Sequence, residues 1–402
     1  MQRLHLCVFI SILAWVPCFS YSQESEDSQG EKKGEEGEKN ENKSAVSSKV
    51  TTGGIYSRPF VKKFGKGTFL GGYFDTEFKN TFDTGNDVTT FDQHRLIPFI
   101  YAEIHPRLHF GSEIEFEHGG FVSGDPTEGT DGEIKIEFAT LDFSIYEWLN
   151  FRGGLILSPL GRFNLLHDSP MNELTDRPLV ARNIIPTTLS EVGVGFFGTM
   201  YPSEMSVLSY EIYAVNGFNQ DLMTPSGTNL REGRGGAGSD NNRAKSLVSR
   251  VAFSPLLGVE IGNSIHTGAY SDNSEDWLTL WALDGAFTRG SFEFLGEYAH
   301  AYVENGSNQH GVYGQIGYRF LHGAFSALPG SFFTGLVRYD WIDLTAGQIG
   351  ANQDRLTVGL NFRPVQETVF KVDYAFLGST ASGTSNRMDD GGQLAFSLAT
   401  YF

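Results

Sequence analysis

Apolar and polar residues alternate with a period of two through much of the chain after residue 67. The clearest stretch is Arg107–His118, where Leu108, Phe110, Ile114 and Phe116 alternate with His109, Gly111, Glu113, Glu115 and Glu117. A helix would scatter these residues around its circumference, whereas a strand sorts them onto two faces. The pattern recurs in Gln353–Pro364 and Phe370–Phe376. It predicts strands with one apolar and one charged face, either facing a membrane with a wet inner side or forming a soluble sheet with one buried face.

The connections between the predicted strands alternate in length. Short turns are expected at His105–Arg107, Tyr146–Asn150, Tyr201–Met205, Pro255–Gly258, Arg289–Ser291 and Pro364–Thr368, with a longer one at Leu321–Ser331. Long polar loops are expected at Lys79–Asp92, Gly119–Gly132, Leu160–Ser190, Gly217–Ser246, Ser271–Asp276, Glu304–Gln309, Thr345–Asn352 and Gly378–Gly391. This alternation is typical of bacterial outer-membrane barrels.

The count indicates about sixteen strands with both termini on the periplasmic side. Two of them, around Ala139–Ile145 and Leu278–Phe287, break strict alternation and are candidates for bulges. A soluble solenoid or sandwich is the alternative, but it would not explain charged residues on the inward face of most strands. We therefore predict an all-β fold, a transmembrane antiparallel β-barrel closed because lipid cannot satisfy an open edge.

The only long apolar run lies near the start of the chain. Residues 1–22 are predicted to be a secretory signal peptide, and a lipoprotein cleaved before Cys18 is the alternative. Cys7 and Cys18 both lie in that signal, so the mature chain is expected to contain no disulfide and no thiol site. Residues 23–66, rich in Glu, Lys, Gly and Ser, are predicted to be disordered and periplasmic, with the barrel over 67–402.

The net charge and the last predicted strand bear on the partners and the cellular location of the protein. A net charge of −18 argues against nucleic-acid binding. The last predicted strand alternates apolar residues up to a terminal Phe402, which resembles the signature read by the barrel assembly machinery, although Thr400 departs from it. We expect export through the Sec pathway to the bacterial outer membrane, with outer-membrane lipid as the surrounding partner.

A barrel of this size is too wide for its own side chains to fill, so its lumen is either wet or plugged. The third long loop, Leu160–Ser190, combines apolar residues with charges, which is unusual for an external loop. We predict that it folds inward and narrows the pore. The predicted constriction residues are Arg162, His167, Asp168, Asp176, Arg177 and Arg182. The alternative is a surface loop that packs on a neighbouring subunit.

Inward-facing charges are expected to form the wall of the lumen. Its predicted members are Glu113, Glu115, Glu117, Arg319, Arg338, Asp340, Arg355, Arg363 and Lys371. Acids cluster early in the chain and bases late, so a ring would set them roughly opposite each other and create a transverse field. The alternatives are solvated or neighbour-paired charges, such as Arg338 with Asp340, or a divalent cation bound by the three glutamates.

No arrangement of residues predicts catalysis or a cofactor. His167-Asp168-Ser169 contains the residue types of a catalytic triad, but adjacent positions cannot form a nucleophile–base–orienter relay. Phosphate-binding loops, zinc spacings and nucleophile elbows are not found in the sequence. We therefore expect a protein that is not an enzyme.

Gly153–Asn164, with Thr175–Val180 and Ile185–Thr188, resembles porin-like outer-membrane proteins related to the phosphate-selective porins O and P. The resemblance spans most of Gly67–Phe402. It implies a sixteen-stranded, trimeric porin with an inward-folded loop. Phosphate specificity is not carried over, because those porins line the constriction with Lys and Arg whereas this barrel is acidic.

Two functions are therefore considered. The first is passive diffusion of small hydrophilic solutes or ions through a water-filled pore. The second is a non-channel surface protein, an adhesin or ligand-binding barrel, that acts through its long loops and especially through Gly217–Ser246.

Overall fold

The computed structural model describes residues 62–64, 67–83, 85, 87–122, 131–346, 352–380 and 387–402. The predicted signal peptide and nearly all of segment 23–66 lie outside these residues. Sixteen long strands follow one another: β1 (Thr68–Phe82), β2 (Thr89–His105), β3 (Leu108–Val122), β4 (Asp131–Tyr146), β5 (Leu149–Leu157), β6 (Ser190–Ser203), β7 (Ser206–Val215), β8 (Ser246–Leu256), β9 (Val259–Ala269), β10 (Trp277–Arg289), β11 (Phe292–Val303), β12 (Gln309–Phe320), β13 (Phe332–Asp343), β14 (Asn352–Val365), β15 (Thr368–Thr380) and β16 (Arg387–Tyr401).

The remaining elements of the described chain are short. Lys62–Phe64 pairs with the start of β1, and Met223–Thr224 pairs with Gly227–Thr228. One helical turn, α1 (Leu179–Asn183), lies between β5 and β6, and a 3₁₀ turn spans Gln220–Leu222. Among the described residues, no helix is both long enough and apolar enough to cross a membrane.

Each long strand pairs antiparallel with the next one, and β16 pairs with β1. The register of that last pairing runs from Tyr401 opposite Tyr73 to Gly392 opposite Phe82. The predicted sixteen-stranded antiparallel barrel is confirmed. The first loop is shorter than predicted, because β1 and β2 continue to pair as far as Asn80 opposite Thr89.

The two faces of the sheet differ in chemistry as the alternation predicts. On the outer face, register partners form a continuous apolar row across eight strands: Val259, Phe287, Phe294, Ile316, Val337, Val358, Tyr374 and Leu394. One position along, the partners Gln315, Arg338 and Thr357 face inward and are buried. A one-residue shift in register would exchange these two rows.

The expected bulge in Leu278–Phe287 is wrong. Strand β10 keeps an unbroken register with both of its neighbours, and Leu278 and Leu280 are buried on its inner face. Alternation is lost because the inner face of this strand is covered by apolar loop residues, so both faces are apolar. Near Ala139–Ile145 the register does shift, between Ser144 and Tyr146.

Closure of the ring can be tested with a covalent bridge between the first and last strands. Phe78 and Phe396 are register partners whose ring centroids are 6.0 Å apart. After removal of residues 1–22 with their cysteines, the double variant Phe78→Cys/Phe396→Cys should be linked by a short bismaleimide. The linked chain should migrate faster than the unlinked chain on a denaturing gel.

The matched control is Phe78→Cys/Val337→Cys, because β1 and β13 are not neighbours. Equal linking of the two pairs would contradict the register of the closed sheet.

Candidate functional site

The long connection between β5 and β6, residues 158–189 and here called the inner segment, contacts inward-facing residues on distant strands. The backbone N–H of Gly161 donates to Ser264 Oγ on β9 at 2.8 Å. On the opposite side, the Tyr401 hydroxyl of β16 donates to Asp168 Oδ2 at 2.9 Å. Because these partners belong to the inner faces of strands far apart in the ring, the segment runs across the interior.

Apolar residues hold one side of the inner segment to the wall. The helical turn α1 packs against β11, β12 and β13. One buried cluster contains Leu160, Leu179, Val180, Ile184, Ile185 and Leu189 of the segment together with Leu278, Leu280, Ala299, Ala301, Val303 and Ile342 of the wall. Each fully buried Leu or Ile contributes roughly 1.5–3 kcal/mol. The wall of β10–β13 is therefore covered rather than exposed to a lumen.

A second apolar cluster fills the interior beside β1–β8. It joins Leu165 of the inner segment to inward-facing rings that include Tyr73, Phe99 and Tyr401. Tyr73 lies 6.0 Å from Phe99 and 6.1 Å from Tyr401 in edge-to-face geometry. The polar part of the interior is limited to the space that the two apolar clusters do not fill.

Late-strand bases of the predicted lumen wall bind the inner segment. Arg363 Nη2 donates to Glu173 Oε1 at 3.0 Å, and Lys371 Nζ donates to the Ser169 carbonyl at 2.8 Å. Arg355 donates to the carbonyl of Arg177. These groups therefore anchor the segment and do not face the early acids across open space.

The other predicted wall residues on these strands pair with close neighbours. Arg338 Nε lies 2.9 Å from Asp340 Oδ2, the pairing considered from the sequence. Arg319 lies 3.7 Å from Glu293 and over the ring of Phe332.

Four of the six predicted constriction residues also anchor the segment. Arg162 pairs with Glu260 of β9, and His167 Nε2 lies 3.2 Å from Glu137 Oε1 of β4. Asp168 accepts from Tyr401 as described above. Asp176 Oδ1 lies 3.1 Å from Lys79 Nζ, and its Oδ2 accepts from Gln393 Nε2 at 2.7 Å.

Asp176 is strongly stabilised as a carboxylate. Burial alone would raise its pKa, but Lys79 and Arg355 outweigh burial and hold the pKa well below its ordinary value.

Arg177 and Arg182 differ from these four, because neither forms an ion pair with any residue the structure describes. Two further arginines come from residues 216–245, the outer loop, and approach the same carbonyl groups. Arg177 Nη1 and Arg231 Nη1 both donate to the Thr187 carbonyl, at 2.7 and 3.0 Å. Arg234 Nη1 donates to the Thr188 carbonyl at 3.2 Å. We call Arg177, Arg182, Arg231 and Arg234 the arginine cluster.

Burial and neighbouring positive charges disfavour the charged form of two arginines of the cluster. Burial, followed by repulsion from Arg95, lowers the pKa of Arg177 to about 10. Burial and then the neighbours Arg234 and Arg182 lower the pKa of Arg231. These guanidiniums remain protonated at neutral pH and exert their full positive charge on the interior.

The arginine cluster faces carboxylates on β3 and β4. This acidic wall consists of Glu115, Glu117, Glu133 and Glu137. Arg95 lies 2.9 Å from Glu115 and 2.8 Å from Glu117, while Lys135 lies 2.6 Å from Glu115. Arg95 and Lys135 thus offset Glu115 and Glu117, and His167 lies 3.2 Å from Glu137, so the excess negative charge of the wall rests mainly on the exposed Glu133.

Thr188 connects the cluster to the wall. Its hydroxyl donates to Glu137 Oε1 at 3.0 Å, while its carbonyl accepts from Arg234. Arg234 interacts electrostatically with Glu133 and Glu117. Glu113 is buried on the same strand as Glu115.

Sequence reasoning missed Arg231, Arg234 and Arg95. Arg95 lies on the same inward face of β2 as Ile97 and Phe99, next to a bulge at which the register with β1 shifts between Asp75 and Glu77. In the outer loop, Arg231-Glu232-Gly233-Arg234 was a charged stretch in a Gly-rich loop and so resembled an ordinary solvated segment.

The same bulge brings His94 beside two carboxylates of β1. Ligand atoms of Asp75, Glu77 and His94 all lie within 4.8 Å of one another. Lys79 Nζ already lies 2.6 Å from Glu77, and Ser397 Oγ donates to Asp75 Oδ1 at 2.8 Å. Lys79 therefore offsets Glu77 and Ser397 hydrogen-bonds Asp75, while Arg95 and Lys135 offset Glu115 and Glu117.

Comparisons with solved structures identify the fold. The chain is similar to the outer-membrane channel DcaP of Acinetobacter baumannii, with 11% identity and a TM-score of 0.52 over 85% of this chain and 99% of that chain. It is also similar to an anion-selective porin from Comamonas acidovorans, with 12% identity and a TM-score of 0.53 over 83% and 99%. OmpF of Salmonella typhi gives 11% identity and a TM-score of 0.54 over 85% and 99%. The chain has the barrel fold of outer-membrane porins.

Sequence comparison adds less. No family model matches the chain. An uncharacterised protein of Aquifex aeolicus (strain VF5) is 35% identical over 209 residues, which are 51% of this chain and 43% of that protein. The chain thus matches less than half the length of this relative.

The anchoring role of Asp176 can be tested by proteolysis. In Asp176→Asn, Lys79 and Arg355 lose the Asp176 carboxylate and keep only Glu77 and Asp340, which should cost about 1–3 kcal/mol of local stability because the site is partly exposed. Because the carboxyl pKa is depressed, this contribution is complete above the ordinary aspartate pKa and is lost as the pH falls toward the depressed one. At pH 7, trypsin should cleave the folded variant after Arg182 about ten times faster, whereas the Arg177–Pro178 bond resists trypsin in every variant.

Asp221→Asn, at an exposed position of the outer loop, is the control and should leave the cleavage rate unchanged. Equal cleavage of both variants would show that Asp176 does not hold the segment in place.

Proposed function

We propose that the protein is a channel of a bacterial outer membrane through which small hydrophilic solutes or ions diffuse passively. The supporting observation is the juxtaposition of the arginine cluster and the acidic wall inside a closed barrel with an apolar outer row. The barrel fold shared with DcaP and the other porins agrees with this location. In this proposal residues 1–22 direct export by the Sec pathway, and residues 23–66 remain periplasmic. The barrel assembly machinery recognises the chain through Phe402.

Solutes would pass between the arginine cluster and the acidic wall. Opposite charges fixed on two sides of a narrow, partly desolvated passage create a field across it, which favours polar solutes over apolar ones. The inner segment narrows the barrel to this passage because it covers the wall of β10–β13. In the sequence-based proposal the cations opposing the early acids came from late strands, whereas here they come from the two loops.

The outer loop supports a channel in preference to a ligand-binding surface protein. Its Phe218, Leu222 and Leu230 are buried in the same apolar cluster as the inner segment. A loop with this packing contributes to the interior, and less of it remains available to a host or matrix ligand. The proposed kinship with porins related to the phosphate-selective porins O and P does not extend to phosphate selectivity.

Purified protein should give stepwise conductance in planar bilayers. In a tenfold KCl gradient, Arg177→Ala/Arg231→Ala/Arg234→Ala should shift the reversal potential toward cation selectivity by roughly 10 mV or more, within a limit of about 59 mV for a perfectly selective pore. The reason is that removal of three positive charges leaves the excess negative charge of the wall unopposed.

Arg243→Ala removes one exposed charge of the outer loop and is the control. An absence of conductance in correctly folded protein would refute the channel, and an unchanged reversal potential in the triple variant would exclude the cluster from the passage.

We further propose that the channel is a homotrimer, as the resemblance to trimeric porins implies. OmpT of Vibrio cholerae, a similar barrel at 10–11% identity, is known in a trimer form. Light scattering of the detergent-solubilised native protein, corrected for bound detergent, should give three times the chain mass. A mass of one chain would contradict the trimer without affecting the channel.

A further inference from the structure

We propose that the arginine cluster and the acidic wall together bind small zwitterionic solutes, with the solute carboxylate on the guanidiniums and its ammonium group on the wall. This inference rests on the proposed channel and specifies its solute class. It concerns binding within the passage, which conductance alone does not require.

The first observation is that the arginine cluster lacks counterions. Elsewhere among the described residues, inward-facing arginines lie within 4.0 Å of a carboxylate: Arg95, Arg152, Arg250, Arg338, Arg355 and Arg363. The four members of the cluster have no such partner in the described part of the chain. The hydrogen bonds that the side chains of Arg177, Arg231 and Arg234 donate go to backbone carbonyls, which carry no formal charge.

The second observation is that these guanidiniums converge and keep free donors. Arg177 and Arg231 share the single carbonyl oxygen of Thr187, and Arg234 binds the next carbonyl along the chain. Arg177 Nη2 is buried and has no hydrogen-bond partner. A planar guanidinium with unused N–H groups matches a carboxylate in a bidentate manner. The cluster therefore offers a place for an anionic group that the chain itself does not fill.

The third observation is the accessible acid on the other side. Glu133 is register partner to Glu117, and its side chain is 55% exposed. Lys135 lies 3.6 Å from Glu133, whereas Glu117 also has Arg95 at 2.8 Å. Glu133 therefore retains capacity for a second cationic group.

The distance between the arginine cluster and the acidic wall determines which class of solute can bind to both. Arg234 and the wall are joined through the single residue Thr188, so they are close, but no guanidinium of the cluster contacts a wall carboxylate within 4.0 Å. The gap is thus wider than an ion pair, and the electrostatic interaction of Arg234 with Glu133 and Glu117 acts across it. A solute with both charges a few ångströms apart can satisfy both sides at once.

Singly charged solutes meet repulsion that a zwitterion avoids. An anion on the cluster faces the excess negative charge of the wall, and a cation on the wall faces four guanidiniums. Like charges placed close together exclude the wrong solute as effectively as opposite charges select the right one. An amino acid or another small ammonium carboxylate is the class that matches both sides.

Binding can be measured as block of the single-channel current by a series of ω-amino acids from glycine to 6-aminohexanoate. The reference probes are the carboxylate and the alkylammonium ion of equal chain length. In the native protein, the best amino acid should block at about a twofold to fivefold lower concentration than either reference probe, since each added charge pair at a wet site contributes a factor of this order.

Two single variants, one in the arginine cluster and one in the acidic wall, should each remove the preference for the amino acid over a reference probe. Arg234→Gln should weaken block by the amino acid to the level of the alkylammonium ion, and Glu133→Gln should weaken it to the level of the carboxylate. Glu133 is exposed, so its variant is expected to fold, and heat-modifiable migration on a gel checks both proteins. Arg243→Ala is the matched control and should keep the full preference.

The outcomes separate this inference from the channel itself. Equal block by amino acid and carboxylate in the native protein would show an anion site and overturn the zwitterion proposal. Conductance with no block by any probe would overturn it as well, while leaving the channel intact. Absence of conductance from folded protein would instead refute the proposed function on which the inference rests.

Discussion

The backbone pairing of β16 with β1 is the constraint on which the rest of the molecule depends. Without it, the first and last strands would each present a row of unpaired N–H and C=O groups, and every such group costs several kcal/mol in an apolar medium. Pairing from Tyr73 opposite Tyr401 to Phe82 opposite Gly392 removes both edges. It also creates an inside and an outside, so that one row of side chains meets lipid in the proposed location and the next row meets the protein's own interior.

The interior is divided into regions of different chemistry. Apolar packing of the inner segment covers β10–β13, an aromatic cluster occupies part of the β1–β8 side, and the charged passage lies between the arginine cluster and the acidic wall. The division gives the inner segment two roles. Its apolar residues and anchoring charges fix its position, and Arg177 is left without a counterion where it faces the wall.

Much of the fold could be predicted from the sequence because strand alternation is a local property. The period of two in Arg107–His118 and the spacing of polar loops were enough for the strand count and for the two faces. The prediction failed at Leu278–Phe287, where alternation is lost because loop residues cover the inner face. That covering is a tertiary contact between segments about a hundred residues apart, so no local pattern records it.

Less of the candidate site could be predicted. The sequence indicated that residues 160–190 carry functional charges, but not which of them are neutralised. Glu173 meets Arg363 and Asp168 meets Tyr401 across separations of 190 and 233 residues, and only the register of distant strands decides such pairs. Arg231 and Arg234 are recognised as part of the site only from the contacts that the outer loop makes with the inner segment.

The placement of the inner segment also has a consequence for biogenesis. A closed barrel without the docked segment would leave Arg363 and Lys371 without their acceptors, so closure of the ring and docking of the segment stabilise each other.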